Sequence, residues 1–227
     1  MFIAHFGAGM AAKKAAPGVS LGLLVIASQF LDLLWPILLL TGVETMEIRP
    51  GIVASNPLAF THYPWSHSLL MVLAWSFLAG IIYWLFTKKK AAALVIGLCV
   101  LSHWVLDLVV HIPDLPLAPG KRVVWGLGLW NNPAASMIAE LLIFSGGVYL
   151  YLSNTHARNR KGVLLFWVFT GLLLITQLLN AFSPRPPDVR SVAWAGNLQW
   201  LFVLLAFLTD HNRAAVLSDR RKITLAS

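Results

Sequence analysis

Residues 91–112 read AAALVIGLCVLSHWVLDLVVHI, and the fold class turns on this stretch. It is long and apolar enough to cross roughly 30 Å of hydrocarbon as a helix. Three ionisable side chains interrupt it at a spacing of four: His103, Asp107 and His111. Steps of four along an α-helix advance about 400°, so the three form one slightly slanted stripe. Hydrocarbon makes each of them costly, and an ionisable residue in a span is a functional candidate on that ground. Two imidazoles and a carboxylate are also preferred ligands of a zinc-like cation.

Outward from this stretch, comparable apolar runs lie at about 19–40, 66–87, 133–153, 162–182 and 191–209. The 227-residue chain is 58% hydrophobic and 11% charged, against about 25% charged residues in a soluble domain. The expectation is an all-α, polytopic membrane helical bundle of about six transmembrane helices, forming a single domain over 1–227. Residues 1–16 are too short to cross and are expected to form an amphipathic or re-entrant helix. No cleavable signal peptide is expected, because the first long apolar run has span length and no small-residue cleavage site behind it. A single cysteine, Cys99, leaves no intrachain disulfide.

The net charge of +8 follows topology. Lys13 and Lys14, Lys88 to Lys90, Arg158, Arg160 and Lys161, and Arg213, Arg220, Arg221 and Lys222 share one side if the spans alternate. They are twelve of the seventeen basic residues, leaving Arg49, Lys121, Arg122, Arg185 and Arg190 opposite. The positive-inside rule then puts both termini, and the basic tail 211–227, in the cytoplasm. Nucleic acid is not an expected partner, because the charges are dispersed over several loops and form no stripe.

Depth follows from orientation. At about 1.5 Å per residue from Lys90, His103 lies roughly 20 Å up and Asp107 roughly 26 Å. Asp32 falls late in the first span, and His67 opens the second, with His62 just ahead of it in THYPWSHSLL. Glu140 lies in the outer half of the fourth span, and Gln177, Asn180 and Asn197 in the outer halves of the last two. The polar side chains of the spans therefore collect at one level. Buried Asp32 requires a cation, a proton or an amide partner. His111 precedes Pro113 and reads as a ligand, a proton carrier or a residue that faces water or caps the last carbonyls at a helix end. Glu140 reads as a proton shuttle or as a structural carboxyl bonded to Ser136 or Asn180. His5 reaches the cluster only if residues 1–14 rise into the bundle, a course that small residues such as Gly7 and Gly9 would permit. Lys121, Arg122 and Asn131, in the outer loop LPLAPGKRVVWGLGLWNN, are candidates for contact with a phosphate-bearing lipid. They read equally well as interfacial anchors and a helix start.

The order of these residues resembles the inner-membrane metal-dependent hydrolase family, also labelled LexA-binding and YdjM-like. Members of that family carry an N-terminal His, an acidic residue after the first long helix, a His-Arg-Gly-x-Thr-His-Ser segment and a His-x-x-x-Asp helix. Here His5, Asp32, the His62 and His67 of HYPWSHS, and His103-x-x-x-Asp107 stand in that order within residues 1–112. Ser66 stands where the family has Thr, Tyr63 and Pro64 where it has Arg-Gly, and Asp32 alone where it often shows two aspartates. A more distant similarity is to zinc-dependent phospholipase C, with Ser136-x-x-x-Glu140 where that group carries a His-x-x-x-Glu pair. The resemblance implies a bacterial cytoplasmic (inner) membrane protein. It also implies zinc or another divalent metal, one or two ions, held by His67, His103 and Asp107 with Asp32, His62 and His5 as further ligands.

The expected function is a membrane-embedded metal-dependent hydrolase acting on an amphiphilic phosphoester or acyl lipid at the outer leaflet, with membrane lipids as its partners. Glu140 or His111 would move the proton. Two other classes remain open from the sequence. One is a small transporter or ion channel for protons or divalent cations, which uses similar intramembrane His, Asp and Glu residues. The other is a non-catalytic scaffold with a structural metal.

Overall fold

The computed structural model describes residues 1–120 and 123–216. In chain order it has α1 (Ile3–Ala15), α2 (Leu21–Ser28) and α3 (Phe30–Leu40), then a hairpin of β1 (Thr45–Ile48) and β2 (Leu58–His62). A one-turn α4 (Pro64–His67) leads into α5 (Leu69–Thr87) and α6 (Lys90–Val110). A two-residue pairing of β3 (Leu115–Pro116) with β4 (Val124–Trp125) and a 3-10 turn (Leu129–Asn131) precede α7 (Pro133–Asn154). The rest is β5 (Thr155–Ala157), α8 (Arg160–Phe182), α9 (Val189–Asn197), α10 (Gln199–His211) and β6 (Arg213–Ala215).

Five segments are long and apolar enough to cross a membrane: α5, α6, α7, α8 and the α9–α10 pair. The α2–α3 pair, bent by 58° at Gln29, makes a sixth if it is one broken span. Helices satisfy their own backbone hydrogen bonds, which is why apolar runs of this length adopt them in lipid. Their starts are written locally. Ser68 Oγ accepts from Met71 N at 3.4 Å to open α5, and Asn132 Oδ1 accepts from Ala135 N at 3.1 Å to open α7, with Pro133 following. Asn159 opens α8 in the same way through Gly162 N at 2.9 Å. Each side chain takes up an N–H that has no partner inside its helix.

Burial differs sharply along the bundle, and it decides where chemistry can sit. Only 6% of the spanning window of α5 is buried, against 44% for α6, which lies behind it. The helix that carries His103 and Asp107 is thus the most enclosed of the five long ones.

α1 resolves the two courses open to residues 1–16. It is not an amphipathic helix lying on a surface. Ile3, Ala4, His5, Phe6, Gly7, Gly9, Met10 and Lys13 are buried on several of its faces. α1 packs against α7, α2 and α6. With 13 residues it reaches only part of the way across, running from the level of Asp107 at Met1 to the basic end at Lys13. Glycines let it in. A Cβ on Gly147 of α7 would lie 2.1 Å from the carbonyl oxygen of Gly7, so the two backbones touch where no side chain fits.

The basic end of α1 is anchored by charge. Lys13 Nζ donates to Asp210 Oδ2 at 2.7 Å and to the Val19 carbonyl at 2.8 Å, while Tyr151 Oη donates to Asp210 Oδ1 at 3.0 Å. One carboxylate therefore ties together α1, α7 and α10. Nearby, β5 pairs with β6, and Arg213 lies over the rings of Tyr151 and Phe166. Removing one partner of a buried pair strands the other, a loss of about 3 kcal/mol or more. Lys13→Met is accordingly expected to lower the melting temperature in detergent clearly, and Lys13→Met with Asp210→Leu to recover most of that loss. A double variant no more stable than the single one would show that the pair is not what anchors α1.

Candidate metal centre

Five side chains from four segments meet at the end of the bundle remote from Lys90. α6 supplies His103 and Asp107, one turn apart on its buried face. The first turn of α3 supplies Asp32, α4 supplies His67, and α1 supplies His5. The break at Gln29 is what turns α3 so that Asp32 faces α6. It also leaves Ser28 as the last residue of α2, and such terminal carbonyls lack an intrahelical donor. His103 Nδ1 takes that carbonyl at 2.8 Å. Pro36 has no N–H to give the carbonyl of Asp32 four residues back, and Gln199 Nε2 approaches that oxygen at 3.4 Å instead.

His103 Nε2 lies 3.2 Å from Asp107 Oδ2 and 3.6 Å from Asp32 Oδ1. His67 Nε2 lies 3.7 Å and 3.6 Å from the same two oxygens. His5 Nε2 reaches the other oxygen of Asp107 at 3.1 Å, and its ring stacks on that of His103 at 3.6 Å with 4° between planes. The Met1 amino group also contacts Asp107 Oδ1. Two overlapping sets of possible ligand atoms result, His5–His103–Asp107 and Asp32–His67–His103.

Hydrogen-bond accounting says what these atoms can do. A carbonyl only accepts, so His103 Nδ1 must carry the proton, and a neutral ring then presents a lone pair at Nε2. That nitrogen is buried and has no hydrogen-bond partner among the described residues. It points at two carboxylate oxygens, which are acceptors as well. Lone pairs facing one another in a low dielectric are unfavourable unless a proton or a cation lies between them. A tetrahedral shell of ligands about 2.1 Å from zinc has edges of about 3.4 Å, and the four separations above bracket that value. The donor set therefore fits a divalent cation. Asp32 has 21% of its side chain exposed, whereas His67, His103 and Asp107 have at most 4%, so the cluster opens on the Asp32 side.

The other expected residues take different places. His62, expected beside His67, is exposed at the end of β2, paired with Thr45, and belongs to neither set. The strand runs extended to His62 while α4 coils from Pro64, and this change of course separates the two histidines. His111 ends α6 with Nδ1 2.8 Å from Asp114 Oδ1 and its ring 4.2 Å from that of Trp130. Glu140 is buried, but its Oε2 accepts from the backbone N–H groups of Phe2 at 2.8 Å and Ala4 at 3.3 Å. α1 has no capping side chain of its own, so Glu140 serves as its cap from across the helix interface. The partners expected for Glu140, Ser136 and Asn180, are not the ones it uses. Asn131 is exposed in the 3-10 turn, and Asn132 caps α7 in its place. Lys121 and Arg122 lie outside the described residues, as does the tail beyond residue 216.

A pocket of about 410 Å³ lies beside the cluster, lined by Phe60, His62, Tyr63, Asp114 and neighbouring loop residues. Tyr63 links the two, with its ring 5.3 Å from that of His67 and its hydroxyl donating to Asp114 Oδ1 at 3.2 Å. Burial first, and the Asp114 carboxylate second, push the Tyr63 hydroxyl well above its usual range, so it stays a donor at any physiological pH.

Sequence reasoning could not reach the Ser28 carbonyl, since a backbone oxygen carries no residue signature. Ser66, whose Oγ lies 2.7 Å from His67 Nδ1, was within reach through its adjacency to His67. Comparison with known families matches residues 2–183 to the family described as YdjM inner membrane protein. Neither the curated proteins nor the solved structures yielded a match.

Proposed function

Because the chain belongs to the YdjM inner membrane protein family, we propose that its buried His/Asp cluster is the centre of a membrane-embedded, metal-dependent hydrolase. The observation that carries this reading is the convergence of Nε2 of His67 and His103 on Oδ1 of Asp32 and Oδ2 of Asp107, at 3.2 to 3.7 Å. Zinc or a similar divalent ion bound there would polarise a water molecule and bring its pKa toward about 7. Asp32 and Asp107 balance the charge of such an ion, and His5 is placed to hold a second one through Asp107. Tyr63 lines the pocket and neighbours His67, and His111 shares its Asp114 partner, so Tyr63 can orient a substrate oxygen arriving from the pocket while His111 steadies Asp114. The proposed substrate is an amphiphile with a phosphoester or acyl ester, drawn from the surrounding lipid. Its apolar part would rest among the exposed aliphatic side chains of the spans.

The test is hydrolysis of phospho- and acyl-lipids in vesicles by the purified, zinc-loaded protein, compared with His103→Ala. Turnover by the first and none by the second is the expected result. Equal rates, or no turnover of any lipid while zinc stays bound, would count against a hydrolase and favour a structural metal.

Orientation is part of the proposal. Since His103 lies roughly 20 Å from Lys90 along α6, the cluster sits in the leaflet opposite the Lys88–Lys90 turn. The excess of basic residues at that turn supports a cytoplasmic position for it and an outer-leaflet position for the cluster. Single cysteines at Lys89 and Arg160, in a Cys99→Ser background, are expected to react with a membrane-impermeant reagent only from the cytoplasm, and one at Pro119 only from outside. Reaction at Pro119 from the cytoplasm would invert the bundle.

A further inference from the structure

Glu44 lies outside the spans, in the turn between α3 and β1, yet it is 1% exposed. A carboxylate so buried needs donors, and it has three. Its Oε1 accepts from the backbone N–H groups of Trp65 and Ser66, both at 2.8 Å, and its Oε2 lies 2.6 Å from Ser66 Oγ. The same Ser66 oxygen lies 2.7 Å from His67 Nδ1. The chain Glu44–Ser66–His67 therefore runs from a buried charge to a side chain of the candidate metal centre.

The proton positions along this chain follow from what each atom can do. An ionised carboxylate only accepts, so the single hydroxyl proton of Ser66 points to Glu44. With that proton used, Ser66 Oγ can serve His67 only as an acceptor. His67 Nδ1 must then be the protonated nitrogen, and Nε2 is left as a lone pair facing Asp32 Oδ1 and Asp107 Oδ2. A histidine ligand requires this state, and its other ring nitrogen is commonly held by an outer partner. We propose that Glu44 is a positioning residue which, through Ser66, sets the tautomer and orientation of His67 for metal binding. This rests on the metal-centre reading above. The device is distinct from the one at His103, whose Nδ1 is held by the Ser28 carbonyl.

Glu44→Gln tests the logic with little change of shape. The two backbone N–H groups need an acceptor, so the amide oxygen takes the place of Oε1 and the amide NH2 faces Ser66. Ser66 Oγ then accepts from Gln and donates to His67 Nδ1, which reverses the tautomer and points an N–H at the carboxylates. The measurement is the nitrogen spectrum of 15N-histidine-labelled, metal-free protein in lipid nanodiscs, taken at a pH high enough that the ring is neutral, with the His67 signal identified by its loss in His67→Ala. Zinc affinity is measured alongside.

The expected result is Nδ1–H at His67 in the unmodified protein and Nε2–H in Glu44→Gln, with zinc binding weakened about 10- to 100-fold. Ser66→Ala keeps both backbone bonds to Glu44, so it is expected to fold, lose the fixed tautomer and bind zinc less tightly. Ser66→Thr restores the hydroxyl and is expected to restore both properties. An unmodified His67 already in the Nε2–H form, or a tautomer unchanged in both Glu44→Gln and Ser66→Ala, would overturn the proposal. If the tautomer reverses but the unmodified protein binds no zinc, the hold of Glu44 on His67 stands and the metal-centre reading falls.

Discussion

Asp107→Asn is expected to abolish tight zinc binding and to lower the melting temperature of the protein. Both oxygens of Asp107 are engaged: Oδ1 faces His5 Nε2 at 3.1 Å and Oδ2 faces His103 Nε2 at 3.2 Å and His67 Nε2 at 3.7 Å. Asparagine keeps the shape but loses the charge, and it must turn an NH2 group toward one side of the cluster. Removing one partner from a buried charged network costs about 3–5 kcal/mol, because the remaining groups stay buried without compensation. The changes to follow are zinc per chain after dialysis and the melting temperature, each against unmodified protein. Unaltered zinc content and unaltered melting would show that Asp107 is not part of the centre.

Gly147→Val is expected to dislodge α1 and, with it, His5. The new Cβ would lie 2.1 Å from the carbonyl oxygen of Gly7 and 2.6 Å from its Cα. Those are backbone atoms, so no rotamer change relieves the clash and the helices must separate. Overpacking a filled interface costs typically 1–3 kcal/mol and more where the backbone has to move. Gly146→Val is the control one position away, where a Cβ meets nothing within 4 Å. It is expected to stay within about 0.5 kcal/mol of the unmodified protein. Thermal melting and zinc affinity, measured on both, should both fall at 147 and neither at 146. Equal behaviour of the two variants would mean that α1 does not depend on its contact with α7.

The bundle was legible because apolar length and charge asymmetry are additive properties of the chain. His103 and Asp107 were legible for a related reason: their spacing of four is a local property of one helix. Asp32 and His67 could be placed beside them by depth alone, since the number of residues from a span end converts to distance. His5 could not, because whether a 13-residue helix lies on the membrane or rises into it depends on a glycine of another helix, Gly147 of α7. His62 shows the limit of reading a motif as a string, since strand geometry ends at His62 and helix geometry begins two residues later. Glu140 shows the limit of reading a carboxylate by its depth. Its partners are the N–H groups of a helix whose course the sequence leaves open. Glu44 escaped notice because it sits in a turn, where an acidic residue ordinarily faces water. Its burial arises only when the chain folds back to bring Trp65 and Ser66 against it.

X-ray absorption at the zinc edge of the loaded protein tests the metal centre most directly. The account predicts about four nitrogen or oxygen ligands at roughly 2.0–2.1 Å, with imidazole scattering from at least two histidines. His67→Ala and His103→Ala should each reduce that imidazole contribution. Zinc that washes out on dialysis, or a spectrum unaltered by either substitution, would contradict it.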